Sequence, residues 1–285
     1  MVSFELNFKN IFILILILII VICSSFNFIK EGLYLYDGTI KTDNLKNPNY
    51  NLNNKKIAIC LSGQIRNGYE ECLFLYNTFI INPLNADVFC CFEECDDVIK
   101  QFIINALKPK KIKYVLNYVK DENNVINVGT LSMYNKIYLV NQLKKEYETE
   151  NKFIYDYVIR ARPDLVIKEY LPKYIFDNNL NKLYLPLTEP ITSVWGYPDF
   201  MAIGNSNIVD IYSDIFIYFT TNLNNKCNVP ETLVYKYLIG KNIDCDVIKY
   251  PIILYRHKYD NIENFIECMR YTLSLTDRYV INNTC

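Results

Sequence analysis

The sequence predicts an α/β domain, a mostly parallel sheet with crossover helices, preceded by an N-terminal transmembrane helix. Three observations predict it. Short apolar runs suited to buried strands alternate with helix-length stretches, the pattern of parallel strands joined by crossovers. One unbroken apolar run, Ile11 to Cys23, stands apart near the N-terminus. Hydrophobic residues make up 51% of the 285-residue chain, enough for one large core and too many for global disorder.

The apolar run, extended by Phe8 and by Phe26 to Ile29, approaches the ~20 residues a bilayer core requires. A cleaved signal peptide would use Cys23, Ser24 and Ser25 as small residues near the cut. An uncleaved anchor would keep the segment as a tether, and the lack of an A-x-A-like site favours it. Lys9 and Lys30 are offset by Glu5 and Glu31, so flanking charge decides little. The expected format is a single-pass type II membrane protein with a lumenal, non-cytosolic domain. Residues 1–30 form the anchor, the Asn-rich stretch 31–54 a stem, and 55–285 the domain.

From there the elements follow in order. Lys56 to Gly63 is a first strand, and a helix runs from about Asn67 to Ile81, stopping at Asn82-Pro83. Ala86 to Glu93 is a second strand. Asp96 to Leu107 is a helix with acidic residues in its first turn. A third strand, Ile112 to Tyr118, leads through a polar loop to a long helix, Ser132 to Glu148, with Ser132 as N-cap. Tyr155 to Ile167 is a fourth strand with a turn at Pro163-Asp164. Beyond it lie short strands at Lys182 to Leu187 and Phe200 to Ile203. Helices follow at Asn207 to Thr220 and Pro230 to Ile239, then a last strand, Val247 to Tyr255.

Composition excludes some functions. A formal net charge of -1 removes the electrostatic warrant for nucleic-acid binding. Tyr is abundant at 25, but so are Ile, Asn and Lys, all with AT-rich codons, so tyrosine enrichment carries no functional argument. Cys90 and Cys91 are adjacent and point to opposite faces of a strand, so they are no simple metal pair. Cys91 and Cys95 have ligand-like spacing, but there is no C-x-x-C and a single His, which disfavours structural zinc. In a lumen, Cys227, Cys245, Cys268 and Cys285 are disulfide candidates. Asn282-Asn283-Thr284 is a glycosylation sequon.

Ligands in open α/β sheets sit beyond the carboxyl ends of the strands, and three polar clusters fall there. Ser62, Gly63, Gln64 and Arg66 follow strand one, where backbone N–H groups and a guanidinium can meet a phosphate. The alternative is a tight turn with a solvated Arg. The loop lacks the P-loop and G-x-G-x-x-G patterns, which disfavours a standard dinucleotide fold. Arg160, Arg162 and Asp164 close strand four on one alternating face. They form either an ion-pair network or a site for a diphosphate and a divalent cation, Mn²⁺ or Mg²⁺, with Asp164 as metal ligand. His257, after Arg256, is either a surface histidine or a metal or phosphate ligand. Asp199 is a candidate acceptor-binding carboxylate or general base, against a plain turn residue after Pro198. Glu231 reads first as a helix N-terminal acid and second as catalytic.

The segments KIAICLSGQIR, ADVF, YDYVIRARPDLVI, PDFMAIGNSNIVDIY and PETLVYKYL, in that order, resemble a family of glycosyltransferase-like proteins found in large DNA viruses, algae and bacteria. The resemblance covers about Lys55 to His257. Such proteins are similar to GT-A glycosyltransferases, whose nucleotide-sugar site lies at the end of a Rossmann-like half-sheet. The resemblance implies a nucleotide-sugar donor facing Ser62 to Arg66, with a glycan, protein or lipid acceptor. It also implies that Asp164 stands for an acid of the D-x-D metal motif and that His257 completes the metal shell. Arg162 occupies the place of the first acid, so an arginine can neutralise the leaving diphosphate instead of a cation. The alternative function is a catalytically inactive carbohydrate- or partner-binding protein with the same fold.

Overall fold

The computed structural model describes residues 48–50, 52, 54–118, 126–177, 181–187, 196–221 and 229–254. The expected membrane segment, most of the stem, Arg256, His257, the sequon and Cys227, Cys268 and Cys285 lie outside them. Among the described residues no helix is long and apolar enough to cross a membrane.

The domain is α/β, built on a seven-stranded mixed sheet. Its strands are β1 (Ile57–Gly63), β2 (Asp87–Glu93), β3 (Lys111–Val115), β4 (Tyr157–Ala161), β6 (Leu183–Leu187), β7 (Met201–Gly204) and β8 (Cys245–Lys249). They lie in the order β3-β2-β1-β4-β7-β6-β8. β2 and β4 flank β1 in parallel, β3 continues in parallel, and β8 is parallel to β6. β7 alone runs antiparallel to its neighbours, β4 and β6. A separate two-stranded ribbon pairs β5 (Leu165–Ile167) antiparallel with β9 (Ile252–Leu254).

The central strands form because continuous apolar runs suit a sheet covered on both faces. In β1, every residue from Ile57 to Ser62 is buried. Alternation divides the side chains between two cores. Ile57, Ile59 and Leu61 face one, while Ala58 and Cys60 face the other. Cys90 and Cys91 are both fully buried on opposite faces, as the sequence predicts.

The first core is covered by α1 (Tyr69–Tyr76), its continuation, and α3 (Asp97–Leu107). The second is covered by α4 (Val128–Asn151), α6 (Ser206–Ser213), α7 (Ile215–Thr221) and α8 (Pro230–Gly240). A short α5 (Tyr174–Asp177) follows the ribbon strand β5.

Several boundaries differ from expectation. Asn82-Pro83 does not stop the first helix. A π-helical stretch, Asn77–Ile81, widens it, and α2 (Asn82–Leu84) follows with Pro83 in its first turn. That is the position where a missing N–H costs least. Ser132 is not the cap of α4. Asn127 is, accepting from Gly129 N at 2.7 Å, and Ser132 Oγ inside the helix accepts from Tyr118 N at 2.9 Å. The stretch expected as one strand from Tyr155 to Ile167 is two, β4 in the main sheet and β5 in the ribbon, separated at Arg162-Pro163-Asp164. The last expected strand also divides, into β8 and β9, at Tyr250-Pro251. A proline in each break has no N–H for a ladder, and there the chain leaves one sheet for the other.

Candidate functional site

The order of connections creates the site. From β1 the chain crosses to β2 and β3 on one side, under α1 and α3. It then crosses beneath α4 to β4 on the opposite side of β1. The strand order therefore reverses between β1 and β4, and the crevice in which open sheets bind ligands falls, by that rule, at the carboxyl ends of these two strands.

Two loops face each other there. Gly63 ends β1 with φ +148°, and a Cβ on it would lie 3.0 Å from Pro163 Cδ. Any larger residue would push the loops apart. Gln64 is exposed, whereas Ser62 is fully buried and its Oγ has no hydrogen-bond partner among the described residues.

Across the crevice, Arg162 binds Asp164 in a two-pronged pair, Nε to Oδ1 and Nη2 to Oδ2, each 2.8 Å. Arg66 Nε also lies 3.2 Å from Asp164 Oδ2, at an angle that makes no hydrogen bond. Side-chain exposure falls from 39% at Arg66 to 14% at Arg162 and 3% at Asp164. The carboxylate is thus sunk between two guanidiniums, one fixed and one at the surface. Burial opposes the charge of Arg162, but the hydrogen bonds and charge of Asp164, with a further share from Asp199, hold its pKa above the ordinary value. The Arg162 backbone is spent as well: its carbonyl accepts from Tyr76 Oη at 2.6 Å and its N–H donates to Phe200 O at 3.2 Å.

Arg160 points into the second core and is fully buried. Its Nη1 donates to the main-chain carbonyl of Asp199 and lies 3.5 Å from Tyr212 Oη. Nε and Nη2 have no partner among the described residues. An ion-pair network is present, then, but its members are Arg66, Arg162 and Asp164. Arg160 sits beneath them.

Asp199 and Glu231 lie on segments that a tight backbone contact joins. Tyr197 N donates to Glu231 O at 3.1 Å, and a Cβ on Gly196, at φ +128°, would lie 2.1 Å from that same oxygen. Only glycine allows this approach of the Gly196–Asp199 segment to the N-terminus of α8. Glu231 is half-buried in the first turn of that helix. Asp199 is 4% exposed, with Oδ1 lacking a hydrogen bond among the described residues. Tyr134 lies beside both: its hydroxyl donates to Pro230 O at 2.9 Å, and burial, then Asp199, Tyr212 and Glu231, push its pKa up.

His257 lies outside the described residues. The chain leaves the ribbon at Leu254, which pairs with Leu165, the residue after Asp164. Arg66, Arg162 and Asp164 are thus brought together, with Gly63 alongside against Pro163, and Asp199 and Glu231 lie on two segments in backbone contact.

The described residues do not fit a divalent cation. None of them form a group of three His, Cys, Asp or Glu suited to a metal. Both oxygens of Asp164 already accept from Arg162, and a cation there would face two guanidiniums.

Sequence reasoning missed Tyr76, Tyr134 and Tyr212, because tyrosine was discounted as compositional. It also missed Lys136, whose Nζ donates to Asn117 Oδ1 at 2.8 Å, while Asn117 Nδ2 donates to Glu93 Oε1 at 2.7 Å. This chain of contacts walls the carboxyl ends of β2 and β3, and burial lowers the Lys136 pKa.

Compared with family models and with curated proteins, the chain matches none.

Proposed function

We propose that the domain is a GT-A-like glycosyltransferase that moves a sugar from a nucleoside diphosphate donor to an acceptor hydroxyl. The observation that carries this reading is the β1/β4 switch point, where Gly63 packs against Pro163 and two arginines share the Asp164 carboxylate. In the transfer, the bond between the anomeric carbon and the diphosphate oxygen breaks, and the nucleoside diphosphate leaves with the electron pair. Guanidiniums beside that oxygen stabilise the developing charge. The acceptor oxygen forms the new bond, and its proton passes to a carboxylate, with Glu231 the more accessible and Asp199 the more deeply set.

The near-complete burial of Asp199 favours a second reading, a non-catalytic binding protein that keeps the donor pocket. Release of nucleoside diphosphate from a panel of nucleotide sugars, without added acceptor, tests between them. Slow donor hydrolysis is expected of the transferase. Binding of a nucleoside diphosphate with no hydrolysis of any donor supports the second reading.

The same proposal holds the domain at a membrane through Phe8 to Ile29, on the non-cytosolic side. Protease protection on sealed vesicles and the N-terminal sequence of the mature chain check this. A product starting near Ser24 refutes the anchor, and a digestible domain refutes the orientation.

A further inference from the structure

The geometry points to a donor diphosphate recognised by arginines without a divalent cation, with Arg66 exchanging Asp164 for the ligand. This inference rests on the nucleotide-donor reading and specifies how that site meets its charge.

The two arginines are not equivalent. Arg162 is locked, with Nε and Nη2 bound to Asp164, its carbonyl held by Tyr76 and its N–H by Phe200. Arg66 is the opposite case. Among the described residues its guanidinium makes no hydrogen bond and its only ionic partner is an oxygen already taken by Arg162, and its side chain is 39% exposed. Two guanidiniums share Asp164, and Asp199 also acts on the inner one, Arg162, so the outer one, Arg66, is the less well matched at the mouth of the crevice. A carboxylate shared in this way is a weak partner for the outer guanidinium. A diphosphate offers that guanidinium a two-pronged acceptor of higher charge.

Asp164 then has a role different from metal ligation. It holds Arg162 in place and supplies Arg66 with a provisional counter-charge until an anion arrives. On binding, Arg66 swings from Asp164 to the diphosphate oxygens, and the Arg162–Asp164 pair stays intact. No bond is made or broken in this step, and the net charge of the cluster falls as the anion enters. The guanidinium that leaves Asp164 supplies positive charge to the diphosphate in the place a cation would take.

The test is calorimetric titration of the whole chain in detergent with UDP, GDP, ADP and CDP, each in EDTA and again in Mn²⁺. Wild-type protein and Arg66→Gln and Arg66→Lys variants are compared. The Arg66 side chain is partly exposed and makes no hydrogen bond among the described residues, so both variants should fold, which a melting curve verifies. The expected result is one preferred nucleotide whose affinity changes less than about 3-fold between EDTA and Mn²⁺. Arg66→Gln should weaken it by about 10-fold or more, the loss of one charge-assisted contact. Arg66→Lys should restore only part, because an ammonium lacks the fork. Binding that needs Mn²⁺ overturns the inference while leaving the donor reading intact. Unchanged affinity in Arg66→Gln also overturns it. Absence of binding by all four nucleotides under both conditions overturns the donor reading itself, and the inference with it.

Discussion

Gly63 and Pro163 touch where β1 and β4 leave the sheet, and their contact sets the width of the crevice. A Cβ on Gly63 would meet Pro163 Cδ at 3.0 Å, and the Gly63 backbone, at φ +148°, already lies where side chains are strained. The two constraints act on one atom position, so substitution there has a forecast of its own.

Gly63→Ala should cost about 1–3 kcal/mol of stability, the usual penalty for a non-glycine residue in such a conformation. Urea unfolding followed by circular dichroism measures it. A loss below about 0.5 kcal/mol would mean that the loop relaxes freely and that the contact with Pro163 does not define the crevice.

Asp164→Asn keeps the volume and removes the charge between Arg162 and Arg66. The Arg162 and Asp164 side chains are 14% and 3% exposed, so Arg162 would lose its buried counterion. Stability should fall by about 3–5 kcal/mol. Arg66→Gln, altering a half-exposed and loosely held partner, should change it by less than about 1 kcal/mol. Equal losses in the two variants would contradict the asymmetry assigned to the arginines.

Away from the crevice, Lys144 is a fully buried ammonium on α4. It lies 2.8 Å from Asp210 Oδ1 and 3.2 Å from Glu148 Oε2, and it also donates to Ser206 Oγ. This cluster fastens α4 to α6. Lys144→Met should destabilise by about 3–5 kcal/mol, because Glu148 is left buried and charged without its cation. A melting temperature within a degree or two of wild type would show that the cluster is dispensable.

Burial pushes the Cys60 thiol up to about 12 in the folded domain, against the influence of Lys144. An unfolded thiol titrates near 8.5. The folded state therefore favours the protonated form, and its contribution is complete below about pH 8.5 and lost as pH rises towards 12. Lys168, lowered to about 8 by burial, works in the opposite direction over part of this range, since the unfolded chain keeps the extra proton. Comparing wild type with Cys60→Ala cancels the Lys168 contribution. Between pH 9 and 11 the wild type should lose up to about 1.4 kcal/mol per pH unit more than Cys60→Ala. Parallel stability curves would show that Cys60 is not protected as its burial implies.

The legible parts of this fold are those written in local runs. Ile57 to Gly63 and Asp87 to Glu93 are nearly continuous in apolar residues, and each becomes a central strand. The meeting of Arg66 with Arg162 and Asp164 was also legible, because each follows a strand and parallel strand ends are neighbours. What could not be read depends on distant partners. Nothing in Met201–Gly204 announces that this strand alone runs backwards, since direction follows from the connections on either side. Arg160 and Arg162 share an alternating pattern, yet one is spent inside the core on the Asp199 carbonyl and the other on Asp164. Lys144 on a long polar helix reads as a solvated cation, and only the packing of α6 against it reveals a buried one.

The ribbon gives the site a place in the order of synthesis. The parallel half of the sheet is complete once residue 161 has been made, since β1 to β4 are contiguous in the chain. The ribbon pairs Leu165, next to Asp164, with Leu254, so it must wait for a strand produced much later. A nascent chain halted before Ile252 would carry Arg66, Arg162 and Asp164 but not the strand that pairs with Leu165 beside them. A strand translated well after Asp164 thus finishes the surroundings of the loop that carries it.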